Sequence, residues 1–131
     1  MVTLANATVV TNVGLSIISN LLKGAGTTPK YVAWGTGTTE AAVTQTALVT
    51  PGAEDRTSGT ETQQTTTTTN DTYRVVGVIT CAGAGKAITE VGLFDAATDS
   101  NMFMRSNFSA INVAVADSIT FTINNVLDQS A

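Results

Sequence analysis

The chain has 131 residues, 43% hydrophobic, 5% aromatic and 12% charged, which suits one domain with a core of its own and is short for two. Its net charge of −4 opposes what a phosphate-neutralising surface needs, so nucleic acid is not an expected direct partner. With no histidine and one cysteine, Cys81, it lacks the commonest general base, the commonest metal ligand and any intrachain disulfide.

Met1 to Asn6 carries no basic segment, and no apolar run reaches the roughly 18 residues a membrane-spanning helix requires. Neither a cleavable signal nor a membrane partner is therefore expected, and a lone thiol fits a reducing cytoplasm. After an N-terminal segment, 1–10, the spacing of Val13, Ile17 and Leu21 beside Ile18 and Leu22 predicts an amphipathic helix from about Asn12 to Lys23. Thr11 is its expected N-cap and Gly24 its C-terminal stop. So short a helix needs tertiary support, so its stripe should face a sheet or a partner subunit.

From Pro29 the chain reads as strands and turns. Twenty-five threonines, set in alternation with Val, Ile, Leu, Phe and Tyr, favour pleated surface, because the β-branch restricts χ1 while the hydroxyl tolerates water. Tyr31 to Trp34 leads into the turn Gly35-Thr36-Gly37. Thr39 to Thr50 is compatible with a loop or a helical turn, closed by Pro51-Gly52. Ala53 to Asn70 has no large apolar residue and suits either a solvent-facing ribbon or an extended arm; Thr65, Thr67 and Thr69 lie within it. Thr72 to Cys81 alternates strongly, with apolar residues on both faces, as a central strand would. Gly83 to Lys86 reads as a hairpin turn into a strand from Ala87 to Asp95. A turn at Thr98 to Asn101 leads to a strand from Met102 to Phe108, and Ser118 to Leu127 forms a last, half-buried strand.

The register of one hairpin can be argued. A turn centred near Ala97 and Thr98 places Glu90 opposite Arg105, Val91 opposite Met104 and Leu93 opposite Met102, so charge meets charge and apolar meets apolar. Short strands at roughly ten-residue intervals give a mainly β (α+β) fold: an antiparallel β-sandwich or jelly-roll-like domain over about 30–127, with one N-terminal amphipathic helix.

Candidate chemistry is sparse. Gly83-Ala84-Gly85-Lys86 lacks P-loop spacing and opens no helix, and Gly35-Thr36-Gly37-Thr38 has no βαβ setting for a dinucleotide. Asp71, Asp95 and Asp99 sit in or beside turns, where carboxylates cap backbone groups. Cys81 has no histidine to activate it and reads as a small buried hydrophobe. No catalytic residue, cofactor or metal is expected. Met102, Phe103 and Met104 alternate, so one parity is core and the other a candidate contact, and Tyr31 and Trp34 divide between core anchors and interface hot spots. The candidate interface is Val13, Ile17, Leu21, Tyr31, Trp34, Thr65, Thr67, Thr69 and Phe103.

Tyr31-Val32-Ala33-Trp34-Gly35-Thr36-Gly37-Thr38-Thr39 and Ile88-Thr89-Glu90-Val91-Gly92-Leu93-Phe94-Asp95-Ala96 resemble segments of small structural proteins of tailed bacteriophages. Arg105-Ser106-Asn107-Phe108 and Asp117-Ser118-Ile119-Thr120-Phe121-Thr122 add to that resemblance. It implies a non-enzymatic virion protein, most similar to a capsid decoration, or cement, protein. Such a protein is made in the host cytoplasm and binds the outside of the assembled capsid. Its implied partners are the major capsid protein and copies of itself, with Met1 to Val10 and Gln63 to Thr69 as arms across subunit boundaries. Glu-Val-Gly-Leu-Phe-Asp is also similar to segments of tail-fibre and tail-collar proteins, which is the alternative.

Overall fold

Residues 8–99 and 101–129 are described by a computed structural model. The element order is β1 (Thr8–Val10), α1 (Asn12–Leu22), β2 (Tyr31–Gly35), β3 (Thr57–Ser58), β4 (Thr60–Gln64), β5 (Thr72–Thr80), β6 (Lys86–Phe94), β7 (Met102–Val113) and β8 (Ser118–Val126). The strands form two antiparallel sheets, one ordered β1-β7-β6-β2-β3 and the other β4-β5-β8.

Period-2 alternation decides what lies between the sheets. Val32 and Trp34 of β2, Val91 and Leu93 of β6 and Met104 of β7 share a core with Val75 and Ile79 of β5 and Phe121 and Ile123 of β8. Trp34 meets Phe121 edge-on, ring centroids 6.4 Å apart, an arrangement that the ring quadrupoles favour. The other face of the larger sheet is covered by the irregular stretch between β2 and β3, from which Leu48 packs with Ala33, Phe94 and Met102. This stretch, left open between loop and helical turn by the sequence, is a loop.

The helix begins as expected. Thr11 is extended, its Oγ1 accepts from Gly14 N at 2.9 Å, and the same hydroxyl donates to the Met102 carbonyl at 2.6 Å. The cap thus also ties α1 to β7. The helix ends at Leu22, with Lys23 as C-cap and Gly24 at φ +83°, a conformation that glycine takes without a Cβ penalty. Ile17 is buried, and Val13, Ile18 and Leu21 pack half-buried on the core. Leu22 does not join them and is 85% exposed. At about 100° per residue Leu21 stays near the Ile17 direction whereas Leu22 is carried off the stripe. Ile17→Ala should therefore cost about 2–4 kcal/mol, Leu21→Ala clearly less, and Leu22→Ala within about 0.5 kcal/mol of zero, as read by urea unfolding.

Several expectations need correction. β5 is central in its sheet, but only one face is covered: Val78 is 45% exposed, and Arg74 also points away from the core. Gly83 to Lys86 is not a hairpin turn, because β5 pairs with β4 and β8 while β6 pairs with β2 and β7; the connection crosses between sheets. β7 runs on to Val113 rather than ending at Phe108. The stretch 53–70 is a ribbon rather than a free arm: β3 pairs with β2 and β4 with β5, so the chain changes sheet at Gly59. Of the N-terminal arm, residues 1–7 lie outside the described residues, and Thr8–Val10 pair with β7.

The β6–β7 hairpin is real but its register differs. Glu90 pairs with Asn107, Val91 with Ser106, Gly92 with Arg105, Leu93 with Met104 and Phe94 with Met102. The turn spans Asp95 to Asn101, closed by the Asp95 carboxylate accepting from Asn101 N at 3.0 Å, and a register shift follows between Leu93 and Phe94. Together they displace Glu90 by two positions from the expected pairing. A two-residue shift keeps every side chain on its face, so Glu90 and Arg105 still meet, diagonally rather than directly opposite.

Candidate functional site

The centre of the larger sheet carries an ion pair with no exposure to solvent. Glu90 and Arg105 are each 0% exposed, and Arg105 Nε donates to Glu90 Oε2 at 2.8 Å. A buried charge is costly unless paired and hydrogen-bonded, and the covering loop supplies what the sheet does not. Gly37 N and Thr50 N donate to Oε1 at 3.1 and 2.8 Å, and Val49 N donates to Oε2 at 3.0 Å. Burial pushes the Glu90 carboxyl up, but the Thr50 and Val49 amides, the guanidinium and the Gly37 amide outweigh it and hold the group below its ordinary value. The Gly-Thr-Gly turn makes this possible, since a Cβ on Gly37 would lie 2.6 Å from Oε1 and one on Gly35 would overlap the same oxygen.

The other residues around the pair fasten the same loop. Asn107 Oδ1 accepts from Ala41 N at 2.8 Å, Thr89 Oγ1 donates to the Gly37 carbonyl at 2.8 Å, and Gln45 Oε1 accepts from Arg105 Nη1 at 3.1 Å. Among the described residues, Arg105 Nη2 is the one buried side-chain nitrogen or oxygen without a protein partner. With four donors, Glu90 has filled the roughly four lone-pair positions of a carboxylate. Its chemistry is that of a fastener: it has no acceptor position left for a substrate proton.

Two further carboxylates work in the same way. Glu54 Oε2 accepts from Trp34 Nε1 at 2.8 Å, while Oε1 accepts from Ala82 N at 3.0 Å and pairs closely with Lys86 Nζ. Burial raises its pKa, but hydrogen bonds from Lys86, Trp34 and the backbone outweigh that and bring it to about 2. Asp71 accepts from the backbone amides of Thr66, Thr67 and Thr68 and from the Thr72 hydroxyl, all within 2.8 Å. Chiefly through the amides of Thr68 and Thr66, it lies well below the usual carboxylate range. The threonine run is thus held as a turn.

The candidate interface residues separate into three groups. Ile17, Trp34 and Phe103 are 5%, 1% and 3% exposed and are core, which withdraws them from any partner. Val13, Leu21 and Tyr31 are half-buried against the two core clusters, and Thr65, Thr67 and Thr69 are exposed on the turn held by Asp71. Cys81 is buried, as expected of a small hydrophobe. Glu90 and Arg105 do come together, but in the interior rather than on an exposed strand face. Sequence reasoning assigned no role to Gln45 or Glu54 and met Asn107 only inside the segment Arg105 to Phe108; the one usable signal, Glu54 shortly after the Pro51-Gly52 turn, is weak.

Surface remains along one side of the molecule. A groove of about 400 Å³ opens between β7 and β8, lined chiefly by Phe108, Ile111, Ile119, Phe121 and Ile123 with Thr8 and Asn124 at its margin. Among the described residues no group of three His, Cys, Asp or Glu side chains is placed to hold a metal ion, and no helix is long and apolar enough to cross a membrane. No family model matches the chain, and neither does any curated protein or solved structure.

Proposed function

We propose that this chain is a non-enzymatic structural protein of a tailed-bacteriophage particle that binds the outside of the assembled capsid and cements neighbouring coat subunits. The observation that carries this reading is how its polar groups are spent. Glu90, Glu54 and Asp71 each accept several hydrogen bonds from the chain's own loops, and the surface left for partners is mostly uncharged strand and turn. Three of the four segments that resemble phage structural proteins come together: Tyr31 to Thr39, Ile88 to Ala96 and Arg105 to Phe108 include the adjacent strands β2, β6 and β7 and the glycine turn around Glu90, while Asp117 to Thr122 enters β8 of the other sheet. Eight strands in two sheets are compatible with the jelly-roll-like form of a β-sandwich, and a rigid module of that kind suits a shell surface.

Binding that favours the assembled shell raises its stability by mass action, so a modest affinity per copy accumulates over many sites. Particles with and without the protein, heated or osmotically shocked, test the reading. Loss of the protein should lower the temperature at which heads release DNA, and the copy number per particle should run to hundreds. Stripped heads as robust as complete ones, or a few copies confined to the tail, would replace this reading with the tail-fibre or tail-collar one.

A further inference from the structure

The four sheet edges are not alike. Among the described residues β1 has three and β3 two, too short to template a partner strand, and β4 carries Glu61, 3.6 Å from Lys30 Nζ. β8 has none of these protections. It runs nine residues, Ser118–Val126, without a charge, proline or glycine, and pairs with β5 in unbroken register. Among the described residues no strand and no hydrogen bond meets β8 on the side away from β5. A long, regular, uncharged edge of this kind is a ready template for another strand.

We propose that β8 is a dimerisation edge that pairs antiparallel with β8 of a second copy about a two-fold axis through Thr122, joining two three-stranded sheets into one of six. Its five central residues, Thr120 to Asn124, are self-complementary about that point, while toward the ends Ile119 falls opposite Asn125 and Ser118 opposite Val126. Thr120 falls opposite Asn124 of the second copy and Thr122 opposite its own equivalent, which matches polar, exposed side chains on the outer face. Phe121 falls opposite Ile123 on the inner face, beside the apolar groove. No charged residue within β8 meets another, so the chain's net negative charge sets up no local repulsion along a seam about 30 Å long. A second copy is the occupant favoured here because the strand's own pattern supplies both halves of the match.

The dimer does not rest on the capsid reading, and each can fail without the other. Sedimentation of the purified chain over a concentration series should show a monomer–dimer equilibrium. Thr122→Lys, an exposed position where the two new charges would face each other, should weaken it by about tenfold or more while leaving the thermal melt unchanged at concentrations low enough that both chains are monomeric. Thr122→Cys should be joined to its equivalent by a short thiol crosslinker, whereas Thr62→Cys on β4 should not; native Cys81, 2% exposed, is the silent background. If Thr122→Lys does not fold, the crosslinking pair decides. A chain monomeric at every concentration, a dimer unaffected by Thr122→Lys, or crosslinking as strong at Thr62 as at Thr122 would each overturn the proposal, including in favour of a strand from a different protein.

Discussion

Replacing Glu90 with alanine should bring the protein close to the limit of folding. The change leaves the Arg105 guanidinium buried without its carboxylate, a loss on the order of 3–5 kcal/mol for a broken interior pair. It also strips the acceptor from the buried Gly37 amide, at about 1–3 kcal/mol, and from the part-buried amides of Val49 and Thr50, which water can reach at a lower cost. Against a total stability of about 5–15 kcal/mol for a domain, the result should be an unfolded or barely folded chain. Glu90→Gln, which keeps one acceptor oxygen, should lose less. Adding Arg105→Met to Glu90→Gln should recover part of the loss, because the double variant no longer buries an unpaired charge. Urea unfolding of the three variants tests this, and a cost below about 1 kcal/mol for Glu90→Ala would show that the pair is not what holds the loop.

Acid should unfold the protein through the same class of group. Glu54 titrates at about 2 when folded and at its ordinary 4.5 when unfolded, so the folded state binds fewer protons between these values. The stabilisation is present in full above about pH 4.5 and is lost as the pH falls through about 2. By linkage it is on the order of 3 kcal/mol. Glu90 and Asp71 are lowered in the same direction and add to the slope. Stability should therefore fall steeply on acidification, and Glu54→Gln should be less stable than the native chain at neutral pH but show a shallower acid dependence. Equal slopes for the two proteins would show that Glu54 contributes nothing to it.

What the sequence made legible follows from the range over which each signal acts. The helix was readable nearly to the residue, because its cap, its apolar spacing and its stop at Gly24 are all local. Strand positions were readable from alternation, and the face of Glu90 and Arg105 from parity. The pairing offset was not, because it depends on a turn one residue longer and on a bulge that no residue type announces. Which strands share a sheet was also hidden. Gly83 to Lys86 has the composition of a hairpin turn, and only the three-dimensional competition for β5, won by β8, makes it a crossing between sheets. At the candidate site the charged pair was visible, whereas its burial was not. Burial comes from Val49, Thr50 and Gly37 folding over the sheet, and backbone amides carry no signature in sequence.

The pairing of β1 with β7 bears on how the chain can reach this state. Thr8–Val10 pair with Met104 to Ser106, and the Thr11 hydroxyl that caps the helix also donates to the Met102 carbonyl, some ninety positions later. β2, with Val32 and Trp34, likewise waits for β6. During synthesis β1 therefore has no partner strand until β7 has left the ribosome, and β2 has only the two-residue β3 until β6 follows, so the larger sheet closes only with β7. Closing such distant ends costs entropy before any contact rewards it, so folding should be slow for a chain of this size and should occur late, in one step. Under that constraint folding depends on the charge-poor strands β1 and β2 staying solvated in the interval, and fragments cut short before Val113 should aggregate rather than fold.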